Sequence, residues 1–410
     1  MNNKLSGTAI VALFLFGSVS AQSILSVEYP GGLPLAHSTG TSLGMEGAGT
    51  GVQNDYFGMS DNIANIGATT RAVFSGVASL NLVQISDKGS NDFLYSALPR
   101  LLSFEVPVPT LGTFGFSFDQ RSSTDFSQTS ITGASDTSRL ASVGGIKAWQ
   151  LGWGHAISRL MFVGLSYERL VYSSYTLNRF SSNDPTGGFP LVDTSKYSAG
   201  ANAMRAGILI PVRKFVFGLN GELVFNGPPG TAKFSQTGIV DSVDSIFQNN
   251  ASRGFVLRLP SSFSVGVSYI PSPKWLLAAS SDMTFWSQYS YELPNNIDST
   301  SSYTVHNTIS VAAGAQFIPA PTMLMPQYWQ IMQYRAGIRY SQLPDGTSSE
   351  SAFTLGLGIP LLHGGGLLDL DAEFGRRSDS HFSGYQENFV QFSVGLDGGR
   401  QWSQNTGVHY

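Results

Sequence analysis

The chain has 410 residues, no cysteine, 46 glycines, and 23 Lys and Arg against 27 Asp and Glu. Charged residues are only 12% of the total, about half of what soluble domains carry, yet the longest unbroken apolar run, Ala9 to Phe16, is far too short for a membrane helix. A net charge of −4 without a basic cluster excludes a nucleic-acid footprint, missing cysteine excludes disulfides and thiolate chemistry, and 12% aromatic residues exclude disorder.

The first segment has the order of an export signal. Lys4 is a positive start, Thr8 to Phe16 an apolar middle, and Val19-Ser20-Ala21 a small-residue cleavage site. Residues 1–21 are therefore expected to be a signal peptide, with the mature chain beginning near Gln22. Residues 22–70 do not alternate like strands. They are glycine-rich over Leu43-Gly44-Met45-Glu46-Gly47-Ala48-Gly49-Thr50-Gly51 and continue into Asp61-Asn62-Ile63-Ala64-Asn65. No strand-to-helix setting supports a dinucleotide site there. Glycine permits close backbone approach, so the segment is predicted to be a plug, with Gly47, Gly49, Asn62 and Ala64 as its marker positions.

From Arg71 onward apolar residues recur at every second position, the period of a strand. Phe353, Leu355, Leu357 and Ile359 alternate with Ala352, Thr354, Gly356 and Gly358, and Leu368, Leu370, Ala372 and Phe374 alternate with Asp369, Asp371, Glu373 and Gly375. Fourteen such segments are predicted, near 72–86, 93–106, 112–121, 139–157, 160–175, 197–211, 214–226, 254–270, 274–291, 303–318, 328–342, 350–360, 366–377 and 387–400. Short connections, most with Pro, alternate with long ones rich in Ser, Asn, Asp and Gly. That alternation describes a transmembrane barrel with short periplasmic turns and long outer loops, since lipid offers an open sheet edge no partner. A soluble sandwich would carry more charge on its second face, and no propeller-length repeat is visible. The expected fold is all-β: an antiparallel transmembrane barrel of about 14 strands over 71–402, with a plug in its lumen and a periplasmic tail at 403–410. Pro99 and Pro260 fall inside strand segments and mark kinks or boundaries.

With these residues in view, the chain resembles the FadL-type long-chain fatty acid transporters of bacterial outer membranes. That family's plug ends in Asn-Pro-Ala before the first strand; here Asn62-Ile63-Ala64 takes that place, with Ile for Pro. Leu259-Pro260, Gly266, Pro273-Lys274-Trp275 and Trp286-Ser287, then Tyr334-Arg335-Ala336-Gly337-Ile338-Arg339-Tyr340, are similar to further family patterns. The resemblance implies outer-membrane localisation and passive transport of fatty acids or similar hydrophobic molecules. It also implies a ligand groove between two outer loops and lateral release through a gap in the wall. Related barrels serve type IX secretion, so a protein-secretion or assembly partner is the alternative.

Two features suit hydrophobic cargo. Ile239, Val240, Val243, Ile246 and Phe247 in the loop 227–253 have the spacing of one helical face, and Phe180, Phe189 and Leu191 offer an opposing wall. If Tyr334, Ala336, Ile338 and Tyr340 face lipid, Arg335 and Arg339 face inward, toward Asp369, Asp371 and Glu373. These arginines either brace the barrel or hold a ligand carboxylate. No Gly-x-Ser-x-Gly elbow exists and the six His are scattered. An enzyme, a cofactor and a metal are therefore not expected; a monomer in contact with outer-membrane lipid is.

Overall fold

Successive side chains on a strand point to opposite sides, so a strand greasy at alternate positions has one face for hydrocarbon and one for an interior. The structure, a computed structural model, describes residues 23, 31–35, 39–56, 58–87, 90–132, 136–182, 191–225, 227, 230–240, 245–292, 305–361, 365–379 and 386–400. Among them, fourteen antiparallel strands close into a barrel. They begin with β1 (Ala72–Asp87), β2 (Ser90–Val108), β3 (Gly112–Gln120, resuming at Phe126–Thr132), β4 (Asp136–Ser158) and β5 (Met161–Ser182). β6 (Leu191–Val212), β7 (Phe215–Phe225, resuming at Gly230–Val240), β8 (Ser245–Arg258, resuming at Ser262–Ser272) and β9 (Trp275–Thr284, resuming at Ser290–Glu292) follow. β10 (Thr308–Phe317), β11 (Gln333–Gln342), β12 (Ser348–Pro360), β13 (Gly366–Asp379) and β14 (Gln386–Arg400) complete the wall. β14 pairs with β1 from Ala72↔Arg400 to Ser86↔Gln386, which closes the cylinder.

The outer surface has the chemistry of a hydrocarbon contact. On β4, Trp149 and Leu151 are 48% and 62% exposed, while the intervening Ala148 and Gln150 are 0% and 1% exposed. The same phase exposes Phe217 and Leu219 on β7, Ile338 and Tyr340 on β11 and Phe353 and Leu355 on β12. Each such side chain left in water forgoes roughly 1 kcal/mol or more of burial; a belt of them around every strand is stable only against an apolar phase. No helix of the described residues is long and apolar enough to cross a membrane.

Both proline irregularities have a structural cause. Along β1 and β2 the register steps from Val77↔Leu101 to Ala78↔Pro99, so Pro99 sits beside a bulge at Arg100. Pro260 lies in the interruption of β8, where Ser261 takes over wall contacts: its hydroxyl accepts from the Val224 N–H at 3.2 Å and its carbonyl from the Phe285 N–H at 2.9 Å.

One expectation is overturned. The described residues of the segment 239–247 are strand, not helix: Gly230–Val240 and Ser245–Arg258 pair antiparallel, with Ile239 opposite Ile246 and Gly238 opposite Phe247. The helical spacing arose because the pattern spans two strands of one hairpin, and β-branched Ile239, Val240 and Ile246 favour strand. Val243 and Phe189 lie outside the described residues, as do residues 1–22 and 403–410. Much of the expected loop 176–196 is also wall: β5 runs to Ser182, β6 starts at Leu191, and Phe180 pairs with Leu191.

Residues 39–56 and 58–69 run through the lumen. Helix α1 (Gly40–Leu43) is capped by Thr39, whose hydroxyl accepts from the Ser42 N–H; α2 (Gly58–Asp61) and a 3-10 turn (Ile63–Ala68) follow. Met45, Ala48 and Val52 pack on Leu276, Ala278 and Ala312 of β9 and β10, and Ala64 packs on Leu209 and Val216 of β6 and β7. The wall answers with missing side chains. A Cβ on Gly218 would come within 1.9 Å of the Thr50 carbonyl oxygen, so only glycine admits the segment there.

Candidate functional site: the lumen

Asn62 shows how the inner segment is held. Its carboxamide oxygen accepts from the Ala64 N–H at 3.0 Å, capping the 3-10 turn. Its NH2 group donates to the Thr50 carbonyl at 2.8 Å and lies 3.4 and 3.3 Å from the Ile208 and Leu219 carbonyls of β6 and β7. Ile63, where the resembled family has Pro, instead buries its side chain over Gly152 and Gly207. Gly47 has φ +78° with open space where a Cβ would stand, and a Cβ on Gly49 would strike the Asp61 carboxylate.

Ionic groups fix the segment on the opposite side. Arg335 and Arg339 of β11 point inward, as the strand phase requires. Arg335 donates to Asp369, Gln316 and Gln333. Arg339 meets three carboxylates: Glu46 of the inner segment at 3.0 Å, Glu350 at 2.8 Å and Glu373 at 2.7 Å. Thr354 also donates to Glu46. Burial, and secondarily the Glu373 charge, push the Glu46 carboxyl up to about 7, while Arg339 and Thr354 pull it back. Asp371 and Glu373 face the lumen too, and a Cβ on Gly44 would touch Asp371 and Arg335.

A second ionic network spans the other half of the lumen. Arg205 of β6 reaches Glu168 at 3.2 Å and Glu222 at 2.8 Å. Arg121 reaches Asp119 at 3.0 Å, Glu168 at 2.8 Å and Glu222 at 3.4 Å. Arg205 also donates to the Ser60 carbonyl at 3.1 Å, which ties this network to the inner segment. The sequence reading missed these residues. Their signal was the alternation itself: Glu168 and Arg205 are charges on the inward phase of strands whose outward phase is Tyr167 and Met204.

Beside this network the lumen turns greasy, which a water-filled pore does not need. Ile146, Leu170, Tyr172, Phe255, Leu257 and Leu259 form a buried apolar cluster on β4, β5 and β8, bordered by Tyr197 and Phe234. Tyr197 meets Phe234 and Phe255 edge-on at 5.9 Å.

Next to the cluster, the wall is interrupted. The ladder between β2 and β3 covers Leu101↔Asp119 to Val108↔Gly112, and Phe126–Thr132 pairs with β4. Among the described residues no ladder joins the outer half of β2 to Phe126–Thr132. Residues 121–125 between them turn inward and are buried. Ser122 and Ser123 pair with Pro34 and Leu33, the Arg121 N–H donates to the Ile146 carbonyl at 2.8 Å, and the Ile146 N–H donates to Ser122 Oγ at 2.9 Å. Gly144 and Gly145 make this possible: both have left-handed φ, +146° and +130°, and a Cβ on Gly145 would lie 2.2 Å from the Ser122 carbonyl oxygen. The interruption and the apolar cluster thus share Ile146.

Solved structures share this fold. The Pseudomonas putida toluene transporter TodX is similar over 91% of this chain and 99% of its own, with a TM-score of 0.56 at 12% identity. The chain shares the fold of that channel. A second TodX structure agrees, with a TM-score of 0.56 at 14% identity over 90% and 99% of the two chains. A TodX deltaS2S3 mutant, described as a monoaromatic hydrocarbon channel, gives a TM-score of 0.52 at 12% identity over 84% and 95%. The family model BamG matches residues 229–406, from β7 through β14. No curated protein sequence matches.

Proposed function

We propose that the chain is an outer-membrane channel for passive movement of hydrophobic small molecules, fatty acids or similar compounds among them. The observation that carries this reading is the junction at Ile146, where an apolar lumen lining meets a stretch of wall without a ladder. An apolar solute would enter among Tyr197, Phe234 and Phe255 and leave sideways past residues 121–125 into the bilayer. Residues 22–70 act as the plug, and Asn62, Glu46 and Arg339 hold it. The similarity to TodX, a toluene transporter, supports an apolar cargo. Arg335 and Arg339 each already face carboxylates of the chain, so selectivity rests on the apolar lining more than on a carboxylate clamp. Phe180 and the hairpin carrying Val240, Ile246 and Phe247 are the proposed outer landing site.

The test is entry of toluene and of a labelled long-chain fatty acid into proteoliposomes, against an unrelated barrel of similar size. Transport of either cargo above that background, abolished by Phe255→Arg, is expected. Equal rates for both barrels would reject the reading, and retention of a partner protein on the outer strands would then favour the secretion or assembly alternative.

A further inference from the structure

The short-turn rim carries groups that the transport reading does not use. By sequence its six short connections hold Arg159, Arg213, Lys214 and Lys274 but no Asp or Glu. All four cations are exposed. The connection between β10 and β11 is the longest of the six and the most apolar: Met323, Leu324 and Met325 are 58%, 99% and 93% exposed. Such exposure of three adjacent large apolar side chains is unfavourable in water. The loop is nevertheless pinned in that shape. The Ala320 N–H donates to the Gln330 carbonyl at 2.8 Å, and Gln327 and Gln330 cap the short helix α3 (Tyr328–Ile331) reciprocally.

Two hydrogen bonds say where the loop lies. Tyr334 is on the lipid-facing phase of β11, and its hydroxyl donates to the Trp329 carbonyl at 3.1 Å. The Tyr328 hydroxyl donates to the Pro360 carbonyl at the end of β12 at 2.7 Å. The α3 end of the loop is therefore folded back onto the outer, lipid-facing side of the rim. Its neighbours continue as one arc: the Ile318 N–H donates to the Lys274 carbonyl at 2.9 Å, and the Ile270 N–H donates to the Lys214 carbonyl at 2.8 Å. The Lys214 ammonium donates to the Pro271 carbonyl at 2.8 Å, which holds it at the same rim with donors to spare.

We infer that this arc, Arg213, Lys214, Lys274 and the Met323-Leu324-Met325 tip, is a docking surface for anionic phospholipid of the periplasmic leaflet. The tip enters the boundary between headgroups and acyl chains, as interfacial apolar side chains do, and the cations bind headgroup phosphates. The inference rests on the membrane reading of the barrel, and it adds a lipid preference and a fixed depth to it. An acidic protein partner could use the same cations, but the fold-back of the loop toward the lipid-facing side favours lipid.

The absence of native cysteine makes the test clean. Leu324→Cys, Leu151→Cys in the apolar belt and Asn249→Cys on the outer hairpin each carry one environment-sensitive fluorophore in the full-length barrel, reconstituted in phosphatidylcholine with or without phosphatidylglycerol. The label at 324 is expected to be quenched by shallow acyl-chain nitroxides and shielded from aqueous iodide. Headgroup-nitroxide phosphatidylglycerol is expected to quench it several-fold better than the phosphatidylcholine analogue. That preference should vanish in Arg213→Gln/Lys214→Gln/Lys274→Gln. Iodide access at 324 with lipid quenching at 151 would overturn this inference and leave the barrel reading standing. Loss of lipid quenching at 151 would sink the barrel reading itself. Protection at 324 only after adding a periplasmic protein, or equal quenching by the two lipids, also overturns it.

Discussion

Glu46 and Arg339 stand 293 positions apart in the chain and 3.0 Å apart in space. Their contact joins the inner segment to the wall where Glu350, Glu373 and Thr354 also converge. Burial of Glu46, which outweighs the pull of Arg339, gives the plug a pH dependence with a definite sign. Docked, Glu46 titrates near 7; released into water it would return toward the ordinary 4.5. The docked state therefore binds the proton more tightly, so docking strengthens as pH falls from 7 toward 4.5 and weakens as pH rises through that window. Channel openings in planar bilayers should be more frequent above pH 7 than below pH 4.5. Glu46→Gln should flatten the part of this response that belongs to the latch. An unchanged pH response in that variant would remove Glu46 from the mechanism.

Gly218 leaves no room for a side chain beneath Thr50. Gly218→Val should push the 50–51 stretch off β7 while leaving the outer belt intact. The expected signature is raised ion conductance and new protease cleavage within residues 39–69, with heat-resistant barrel mobility on gels retained. Wild-type conductance in the folded variant would show that the segment can be displaced without opening a path.

Arg205 is the hinge of the second ionic network. Its guanidinium, 3% exposed, serves Glu168, Glu222 and the Ser60 carbonyl. Arg205→Ala leaves Glu168 and Glu222 to share Arg121 alone, and breaking a buried pair in this way costs up to about 3–5 kcal/mol. Urea unfolding in vesicles should register a loss of that size, and combining the change with Glu222→Leu should recover part of it. A loss below about 1 kcal/mol, the scale of exposed pairs, would mean that water reaches the network.

Gly145 lets residues 121–125 leave the wall. Gly145→Val adds a Cβ within 2.2 Å of the Ser122 carbonyl oxygen, at a φ of +130° that β-branched residues avoid. Toluene entry into proteoliposomes should fall while folding yield and plug conductance stay near wild type. Unaltered entry in the folded variant would move the exit elsewhere.

The barrel was readable because lipid imposes a strict rule: every second residue must be apolar and every ladder must close. Fourteen segments followed from that rule and from turn spacing, and the inward phase of Arg335 and Arg339 followed with them. Asn62 and Ala64 stood out in the sequence only at the place of the resembled Asn-Pro-Ala motif; that Asn62 caps the turn by accepting from the Ala64 N–H is visible only in the fold. What was hidden depends on distance along the chain. Glu46 gives no local sign that its partner is Arg339. The inward turn at 121–125 needs Pro34, Ile146 and two glycines from separate segments. The hairpin at 230–258 was misread because a strand–turn–strand of small size can mimic helical spacing when only apolar positions are counted.

The staves of the cylinder are unequal. β4 has 23 residues where β10 and β11 have 10. At about 3.3 Å per residue and a tilt near 40°, that is roughly 55–60 Å of height against about 25 Å. The low side does little more than cross the hydrocarbon, while the high side rises as a parapet, and the inturned 121–125 segment stands at its foot. Anything skimming the outer leaflet meets an open sill from one quarter and a screen from the other, so arrival at the mouth has a compass bearing.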